Sequence, residues 1–403
     1  MSKQPLGNRD LIRGINRSAV LNTIKNHGPI SRTETARRTG LSAATISGIT
    51  AELMNEDLIF EKEAGSSRGG RRPILLAINP RGGFVVGLKL AEDQIVGVLT
   101  DLEVSVLAKH VLKIEGRSLD STIDALAQVV MILLSKGDIE PEHLLGVGVG
   151  LAGIVDAQQG ILRYSPIFGW RDVPIGDLLR DKVKAPVYVD NDVNTLTLTE
   201  KWFGKGQGFD NLLTVTIGRG VGLGIIVNGQ LYRGFQGGGG EFGHTVVDPE
   251  GSICACGNRG CLETFVADPA LLRIASETVT RGDLPDSVKT LDDLLQIAKE
   301  GNLAATAIYS RAGEVLGRGI ANLINVFSPQ LIIISGEGVG VGDLVFRSMQ
   351  ASIASHVMPG LIEDTVIEVD VWNDDAWARG AAGLVLQELF ESPVNRDVKT
   401  AAL

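Results

Sequence analysis

Residues 241–263 read EFGHTVVDPEGSICACGNRGCLE and contain every cysteine of the 403-residue chain, with one of its five histidines. His244 is followed by Cys254, Cys256 and Cys261. Three thiolates and one imidazole complete the tetrahedral shell that Zn²⁺ prefers, and they leave no open position for a catalytic water. The stretch therefore predicts a structural zinc ion that fixes a loop. The alternative is a set of reduced cysteines without a ligand.

Carboxylate and amide side chains flank this stretch and also end a strand elsewhere. Asn191 and Asp192 follow the apolar run 187–189, Glu241 precedes His244, and Glu263 follows Cys261 by two residues. Each sugar hydroxyl both donates and accepts a hydrogen bond, so such side chains suit a sugar site. A metal that holds His244 would also fix the neighbouring acids. The alternative for any single acid is a surface charge or a helix cap.

The amino-terminal part of the chain has its own charge and pattern. Residues 1–72 contain 12 lysines and arginines against 7 aspartates and glutamates, whereas the whole chain has a net charge of −10. A basic segment on an acidic body indicates a nucleic-acid-binding head, unless the unevenness is due to chance.

Three short helices are predicted in this head, at 16–27, from the cap Ser31 to Gly40, and from the cap Ser42 to Asn55. The third helix can turn apolar residues inward and small residues outward, as a helix that enters the major groove does. A three-helix bundle without a ligand is the alternative. The predicted DNA contacts on this helix are Ser42, Ala43, Ala44, Thr45 and Ser47.

Two strands at 58–63 and 74–78 are typical of a wing, and a glycine-rich loop joins them. Arg68, Arg71 and Arg72 on this loop can insert into a narrow minor groove; the competing interpretation is a solvated linker. Helix-turn-helix proteins of this kind read paired half-sites, so a homodimer or homotetramer on double-stranded operator DNA is expected.

The body alternates strands and helices in two similar series, which indicates two α/β lobes with a cleft between them. The expected domains are 1–80 for the winged helix-turn-helix, 81–198 for the first lobe, completed by a helix at 374–392, and 199–373 for the second lobe, which carries the zinc loop and an oligomerisation surface. The chain shows no signal peptide at its start and no apolar run of about 18 residues, so a cytoplasmic location without membrane insertion is expected.

The chain resembles the ROK family of repressors and sugar kinases, in its branch of Mlc- and NagC-like regulators. The resemblance extends from about Asn16 to Leu389 and is most specific in 241–244 and 254–263. It implies a two-lobed actin-like fold of the hexokinase type and a zinc ion on the four residues named above, with His244 a candidate for contacting both metal and sugar. It also implies a monosaccharide effector bound by Gly153, Asn191, Asp192, Glu241, His244 and Glu263. In the kinases of the family, the residue that matches Asp192 is the general base.

A family kinase needs two phosphate-binding loops, and the first, Asp-x-Gly-Gly-Thr, is absent here. The matching segment is Gly87-Leu-Lys89-Leu-Ala91-Glu92-Asp93, whose acids would repel phosphate. The second loop, at 218–224, keeps its glycines but has Arg219 where the kinases have threonine. Phosphoryl transfer depends on positioned phosphates, so we expect no catalytic residue and no kinase activity.

The sequence therefore predicts a sugar-responsive DNA-binding repressor, with Asp192 kept as a hydrogen-bonding partner of the sugar. An active ATP-dependent sugar kinase with a DNA-binding head is the alternative. A third possibility, control by a sugar-transporter protein that sequesters the repressor, stays open at this point.

Overall fold

A computed structural model describes residues 9–63, 74–116, 118–370 and 375–390. Its head contains helices α1 (Arg9–His27), α2 (Arg32–Thr39) and α3 (Ala43–Asn55) and strands β1 (Ile30–Ser31), β2 (Ile59–Glu63) and β3 (Ile74–Ile78). The strands form a small sheet in the order β1-β3-β2.

Local signals in the sequence explain where the helices of the head begin and end. Ser31 Oγ accepts a hydrogen bond from the Glu34 amide at 3.2 Å, and Ser42 Oγ accepts one from the Thr45 amide at 3.1 Å. Gly40 ends α2 with a φ of 72°, a left-handed conformation that glycine adopts without strain. The predicted caps are confirmed, while α1 begins earlier than predicted and β1 was not predicted.

The first lobe is built on a five-stranded sheet. Its elements are β4 (Phe84–Leu90), β5 (Gln94–Thr100), β6 (Val106–Lys113), α4 (Leu119–Gly137), β7 (Leu144–Leu151), β8 (Ile154–Asp156), β9 (Ile161–Tyr164), β10 (Arg171–Val173), α5 (Ile175–Val183) and β11 (Val187–Asn191). The sheet has the order β11-β7-β4-β5-β6, with β11, β7 and β4 parallel. Strands β8, β9 and β10 form a separate small sheet that the sequence did not indicate.

The second lobe repeats this plan. Helix α6 (Asp192–Phe203) begins directly after β11 and leads from the first lobe into the second. The elements of the second lobe are β12 (Leu212–Ile217), β13 (Val221–Val227), β14 (Gln230–Leu231), α7 (Glu263–Val266), α8 (Asp268–Thr280), α9 (Leu291–Lys299), α10 (Leu303–Phe327), β15 (Leu331–Ser335), α11 (Asp343–His356) and β16 (Val366–Val369). The sheet has the order β14-β13-β12-β15-β16. Two similar α/β lobes after a winged head confirm the predicted fold class.

The helix α12 (Ala376–Phe390) returns to the first lobe and packs across β4 and β7. Glycines make this close approach possible, because a Cβ on Gly87 would collide with the carbonyl of Ala378, and one on Gly148 with that of Ala381. Residues 374, 391 and 392 of the predicted helix lie outside the described residues. None of the described helices is both long and apolar enough to span a bilayer.

One apolar core joins the head to this helix. Leu21 and Ile24 of α1 belong to the same buried cluster as Val385 and Leu386 of α12. Each lobe has a further core of its own. The head is therefore packed against the first lobe in this structure.

Candidate functional site

The predicted metal ligands lie together in a tight loop between β14 and α7. The ligand atoms of His244, Cys254, Cys256 and Cys261 all lie within 4.8 Å of one another. Cys254 Sγ is 3.5 Å from His244 Nδ1, and the Sγ atoms of Cys256 and Cys261 are 3.7 Å apart. Around a zinc ion with bonds of about 2.0–2.3 Å, the corresponding tetrahedral edges are about 3.6 and 3.8 Å, so these two pairs have the spacing of zinc ligands.

The backbone of this loop is held by short-range pairing. Single bridges join Val246 to Cys261 and Ile253 to Arg259. Burial and the neighbouring thiols raise the pKa of Cys261 to about 12, so a thiolate at this position needs a positive charge beside it. The donor set thus suits a bound cation, with Cys254 and Cys261 buried, His244 half-buried and Cys256 exposed.

The other ring nitrogen of His244 faces the predicted sugar residues. His244 Nε2 lies 3.8 Å from Glu241 Oε2, and Glu263 Oε2 accepts a hydrogen bond from the Val221 amide at 3.3 Å. Burial, with smaller contributions from Glu263 and Asp192, raises the pKa of Glu241, while His244 lowers it. Asp192, Glu241, His244 and Glu263 are therefore close enough to interact across the two lobes.

Asn191 and Gly153 meet at the adjacent edge of the first lobe. The Asn191 amide nitrogen donates to the Gly153 carbonyl at 3.0 Å, while its oxygen caps α6 by accepting from the Val193 amide at 2.8 Å. Gly153 has a φ of 138°, and a Cβ there would collide with the Tyr164 carbonyl. All six predicted sugar residues thus lie around the start of α6 or at the metal loop; sugar contact by each stays a prediction.

Sequence reasoning missed the partner of Asp192. The ammonium group of Lys89 forms an ion pair with the Asp192 carboxylate, and it lies 4.6 Å from the centroid of the Trp377 ring. The two side chains of the pair are only 16% and 11% exposed. A lysine inside the otherwise apolar strand 84–90 was the available signal.

Sequence reasoning also missed Glu337, which stands against the second glycine loop. A Cβ on Gly218 would collide with the Glu337 carboxylate. Burial and Glu337 raise the pKa of Asp268, whose amide donates to the Gly218 carbonyl at 2.9 Å. Arg219 forms an ion pair with Glu92 of the first lobe. The loop is therefore surrounded by carboxylates.

The leading turn of α3 faces solvent. Ser42, Ala43, Ala44 and Ser47 are exposed and Thr45 is half-buried, while Ile46, Ile49 and Leu53 are buried in the head. This inward and outward division matches the prediction. The wing residues Arg68, Arg71 and Arg72 lie outside the described residues, and DNA contact by either set stays a prediction.

Comparison with known proteins divides the chain in the same way. A model described as "Winged helix-turn-helix DNA-binding" matches residues 15–59, and the ROK family model matches residues 85–388. The chain is 32% identical to a protein named xylose repressor from Caldicellulosiruptor bescii, over 96% of this chain and 99% of that protein. It is 31% identical to the transcriptional dual regulator NagC of Escherichia coli, over 88% of each.

Solved structures of two kinds resemble this one. A ROK family transcriptional regulator described as a homologue of the E. coli Mlc protein has a TM-score of 0.85 at 27% identity and covers 97% of this chain and 100% of its own. A ROK family glucokinase from Streptomyces griseus, solved with glucose and AMPPNP, has a TM-score of 0.65 at 28% identity and covers 75% of this chain and 99% of its own. Because the family model spans both lobes and relatives align over nearly the full length, the chain belongs to the ROK family.

Proposed function

We propose that this protein is a DNA-binding repressor of carbohydrate genes whose operator affinity changes when a monosaccharide binds between the two lobes. One observation supports this most directly. The same chain has an exposed third helix, α3, capped by Ser42, and a cluster of carboxylates between the lobes. The proposed organisation is a head at 1–80, a first lobe at 81–198 completed by 374–392, and a second lobe at 199–373.

The head binds double-stranded operator DNA through the leading turn of α3. Small side chains there allow close approach to base edges in the major groove. The proposed contacts are Ser42, Ala43, Ala44, Thr45 and Ser47, with Arg68, Arg71 and Arg72 of the wing entering the minor groove. Two heads on a homodimer or homotetramer read paired half-sites. Because the partner is operator DNA, the proposed location is cytoplasmic.

The effector is a monosaccharide held by hydrogen bonds to Asn191, Asp192, Glu241, His244 and Glu263, with Gly153 beside them. The relatives are named for xylose and for N-acetylglucosamine, so these two sugars are the first to test. The sugar binds more tightly to the closed cleft, and closure rotates the lobes and moves the two heads away from the half-site spacing. Its difference in affinity for the two states supplies the coupling energy.

A zinc ion on His244, Cys254, Cys256 and Cys261 has a structural role in this proposal. Bound zinc would keep the thiols ionised and fix the ring of His244. His244 Nδ1 faces the cysteines and Nε2 faces Glu241, so the same ring then orients a sugar-binding carboxylate.

We also propose that the protein does not phosphorylate the sugar. Lys89 neutralises the carboxylate of Asp192, which a kinase would need as a free base. Glu337 and Asp268 lie beside the glycine loop, where they would repel the phosphates of a nucleotide. A coupled ADP-release assay with D-glucose, D-xylose and N-acetyl-D-glucosamine should show no turnover. Robust turnover that Asp192→Asn abolishes would establish the kinase instead.

The decisive experiment measures operator binding with and without sugar. DNA fragments enriched by the full-length protein from a random-sequence pool serve as the operator probe, and gel-shift titrations are repeated with each sugar. At least one sugar should change the Kd for DNA by about 5-fold or more. Asp192→Asn should remove this response while the variant still binds the DNA fragment. A panel in which no sugar changes DNA affinity contradicts the proposal.

A further inference from the structure

Two neighbouring helices share a contact at the sugar site. Asp192 is the first residue of α6, and Trp377 is the second residue of α12. Lys89 contacts both, because its ammonium group pairs with the Asp192 carboxylate and lies 4.6 Å from the Trp377 ring centroid. The state of the site can therefore act on the beginnings of both helices at once.

The same two helices end together at the DNA-binding head. Trp202 and Phe203 are the last residues of α6, and Phe390 is the last residue of α12. Lys25 of α1 lies among them, with its Nζ atom 3.8, 5.4 and 4.4 Å from the respective ring centroids. All three distances are within the range of about 6 Å at which a ring face attracts a cation.

A hydrogen bond and an apolar core fix α1 against this end of α12. Asn22, one turn before Lys25, donates its side-chain amide to the Phe390 carbonyl at 2.6 Å. Leu21 and Ile24 share a buried core with Leu386. The three rings around Lys25 thus lie at the edge of a continuous contact between the head and the body.

The two helices are packed closely enough to move as one body. Residues 192–200 of α6 are all buried, and a Cβ on Gly380 of α12 would lie only 2.7 Å from the Thr195 carbonyl. Helices of 12 and 15 residues extend about 18 and 22 Å, which spans the distance from site to head without a loop. Close-packed elements of this kind shift together between discrete positions.

We propose that Lys25 is the positioning residue through which occupancy of the sugar site, carried by α6 and α12, sets the position of the DNA-binding head. The inference rests on the proposed function, since it names the route by which the sugar changes DNA affinity. A displacement at Asp192 and Lys89 moves the aromatic ends of the helices, and the ammonium group follows the ring faces because the attraction depends on its place over them. The head then follows α1.

The charge of Lys25 is therefore more important than its volume. Lys25→Met keeps an unbranched chain of similar length in contact with the rings but removes the cation. Lys25→Arg retains a cation that can stack on aromatic faces. Lys299→Met removes an exposed lysine from α9, a helix of the second lobe that is not part of the route, and serves as the matched control.

The experiment determines three quantities for the full-length wild type and each variant. These are the Kd for the enriched DNA fragment, the Kd for the sugar that affects the wild type, measured by calorimetry without DNA, and the ratio of DNA Kd values with and without sugar. For Lys25→Met, we expect sugar affinity within about 2-fold of wild type and a coupling ratio reduced by about 5-fold or more. Lys25→Arg and Lys299→Met should retain the wild-type ratio.

Hydrogen exchange of α1 provides a second measurement that does not depend on DNA. Sugar should change the exchange of residues 20–27 in the wild type and in Lys25→Arg, but not in Lys25→Met. If the wild-type ratio of DNA Kd values with and without sugar is one, the proposed function itself is contradicted. A wild-type ratio above one that Lys25→Met leaves unchanged, or a loss of sugar binding in Lys25→Met, overturns the role of Lys25 alone.

Discussion

Lys89 and Asp192 are far apart in the chain, and folding brings their opposite charges together. Their side chains are mostly buried, so each charge depends on the other for compensation. Removing one partner of a buried pair leaves the other charge unpaired, whereas an exposed pair contributes little.

Lys89→Met should therefore lower the free energy of unfolding by about 3 kcal/mol. Asp192→Asn should also be destabilising, and the double variant should lose less than the two single losses together, because it leaves no unpaired charge. Urea unfolding of the four proteins tests this. Arg347→Met, which breaks the exposed pair with Asp343, is the control and should cause no measurable loss. Additive losses at Lys89 and Asp192 would contradict the interpretation.

The cluster of His244 with three cysteines leads to a second prediction at this scale. Wild-type protein should contain about one zinc per chain, and Cys256→Ser should contain none and lose about 4 kcal/mol of stability. Elemental analysis and thermal unfolding measure the two effects. Ser252→Ala, in the same loop, is the control. The Ser252 backbone carbonyl accepts a hydrogen bond from the Gly260 amide, and the substitution leaves that bond in place, so this variant should keep the metal. Zinc-free wild type with full stability would refute the metal site.

The sequence predicted that His244 lies beside the three cysteines, because the four residues belong to one short segment, and the structure brings them together. Metal binding by the four stays a prediction. The sequence missed Lys89 and Glu337 as members of the site because their partners are brought near only by the folding of both lobes. The hydrogen bond from Asn191 to Gly153 was likewise invisible, although both residues were candidates. Chemistry-bearing residues can be found from the sequence, but their pairing depends on the tertiary structure.

Elements with a strong pattern were predicted nearly to the residue. The helix predicted from the cap Ser42 to Asn55 is found at Ala43–Asn55, and the strand predicted at 74–78 is found at Ile74–Ile78. Strands β8, β9 and β10 were missed because runs of three or four residues carry too little periodicity to distinguish them from loops. Helices α8 and α9 were missed as well, although both are amphipathic.

The contact of α12 with β7 requires a glycine, and this gives a prediction at the scale of the element. Gly148→Ala should destabilise by about 3 kcal/mol, because its Cβ would collide with the Ala381 carbonyl. Gly383→Ala is the matched control within α12, since its Cβ would meet Thr199 Oγ1 at an ordinary 3.9 Å. The control should be stabilised by about 0.5–1 kcal/mol, because alanine favours the helix. Similar effects at both positions in urea unfolding would contradict the close approach.

The leading turn of α3 gives another prediction at this scale. Ala44→Glu adds a carboxylate to an exposed position that is proposed to face DNA, so operator affinity should fall by about 10-fold or more while stability is retained. Ala51→Glu adds the same charge near the end of the helix and should have a smaller effect, since recognition helices read bases with their first turns. Equal losses in fluorescence anisotropy titrations would argue against this docking.

At the scale of the whole molecule, the two sheets repeat each other. Both have five strands, and the three parallel strands β4, β7 and β11 of the first lobe correspond in order to the parallel strands β12, β15 and β16 of the second. The candidate sugar residues come from both lobes and the DNA-binding helix from the head. The proposed function therefore depends on the arrangement of all three parts.

The proposed homodimer or homotetramer predicts a dependence on DNA spacing. Inserting about 5 base pairs between the half-sites of the enriched fragment places them on opposite faces of the duplex and should abolish cooperative binding, while about 10 base pairs should restore part of it. Sedimentation of the complex gives the number of chains bound. Binding that ignores the insertion would indicate that single heads act independently.

The position of helix α12 in the chain has a consequence during synthesis of the protein. It completes the packing of the head and of the first sheet, yet it is translated after the head, both sheets and the metal loop. A nascent or prematurely terminated polypeptide lacks the residues of α12 that share a core with Leu21 and Ile24. Incomplete products would thus lack the contact through which the body holds the DNA-binding head in place.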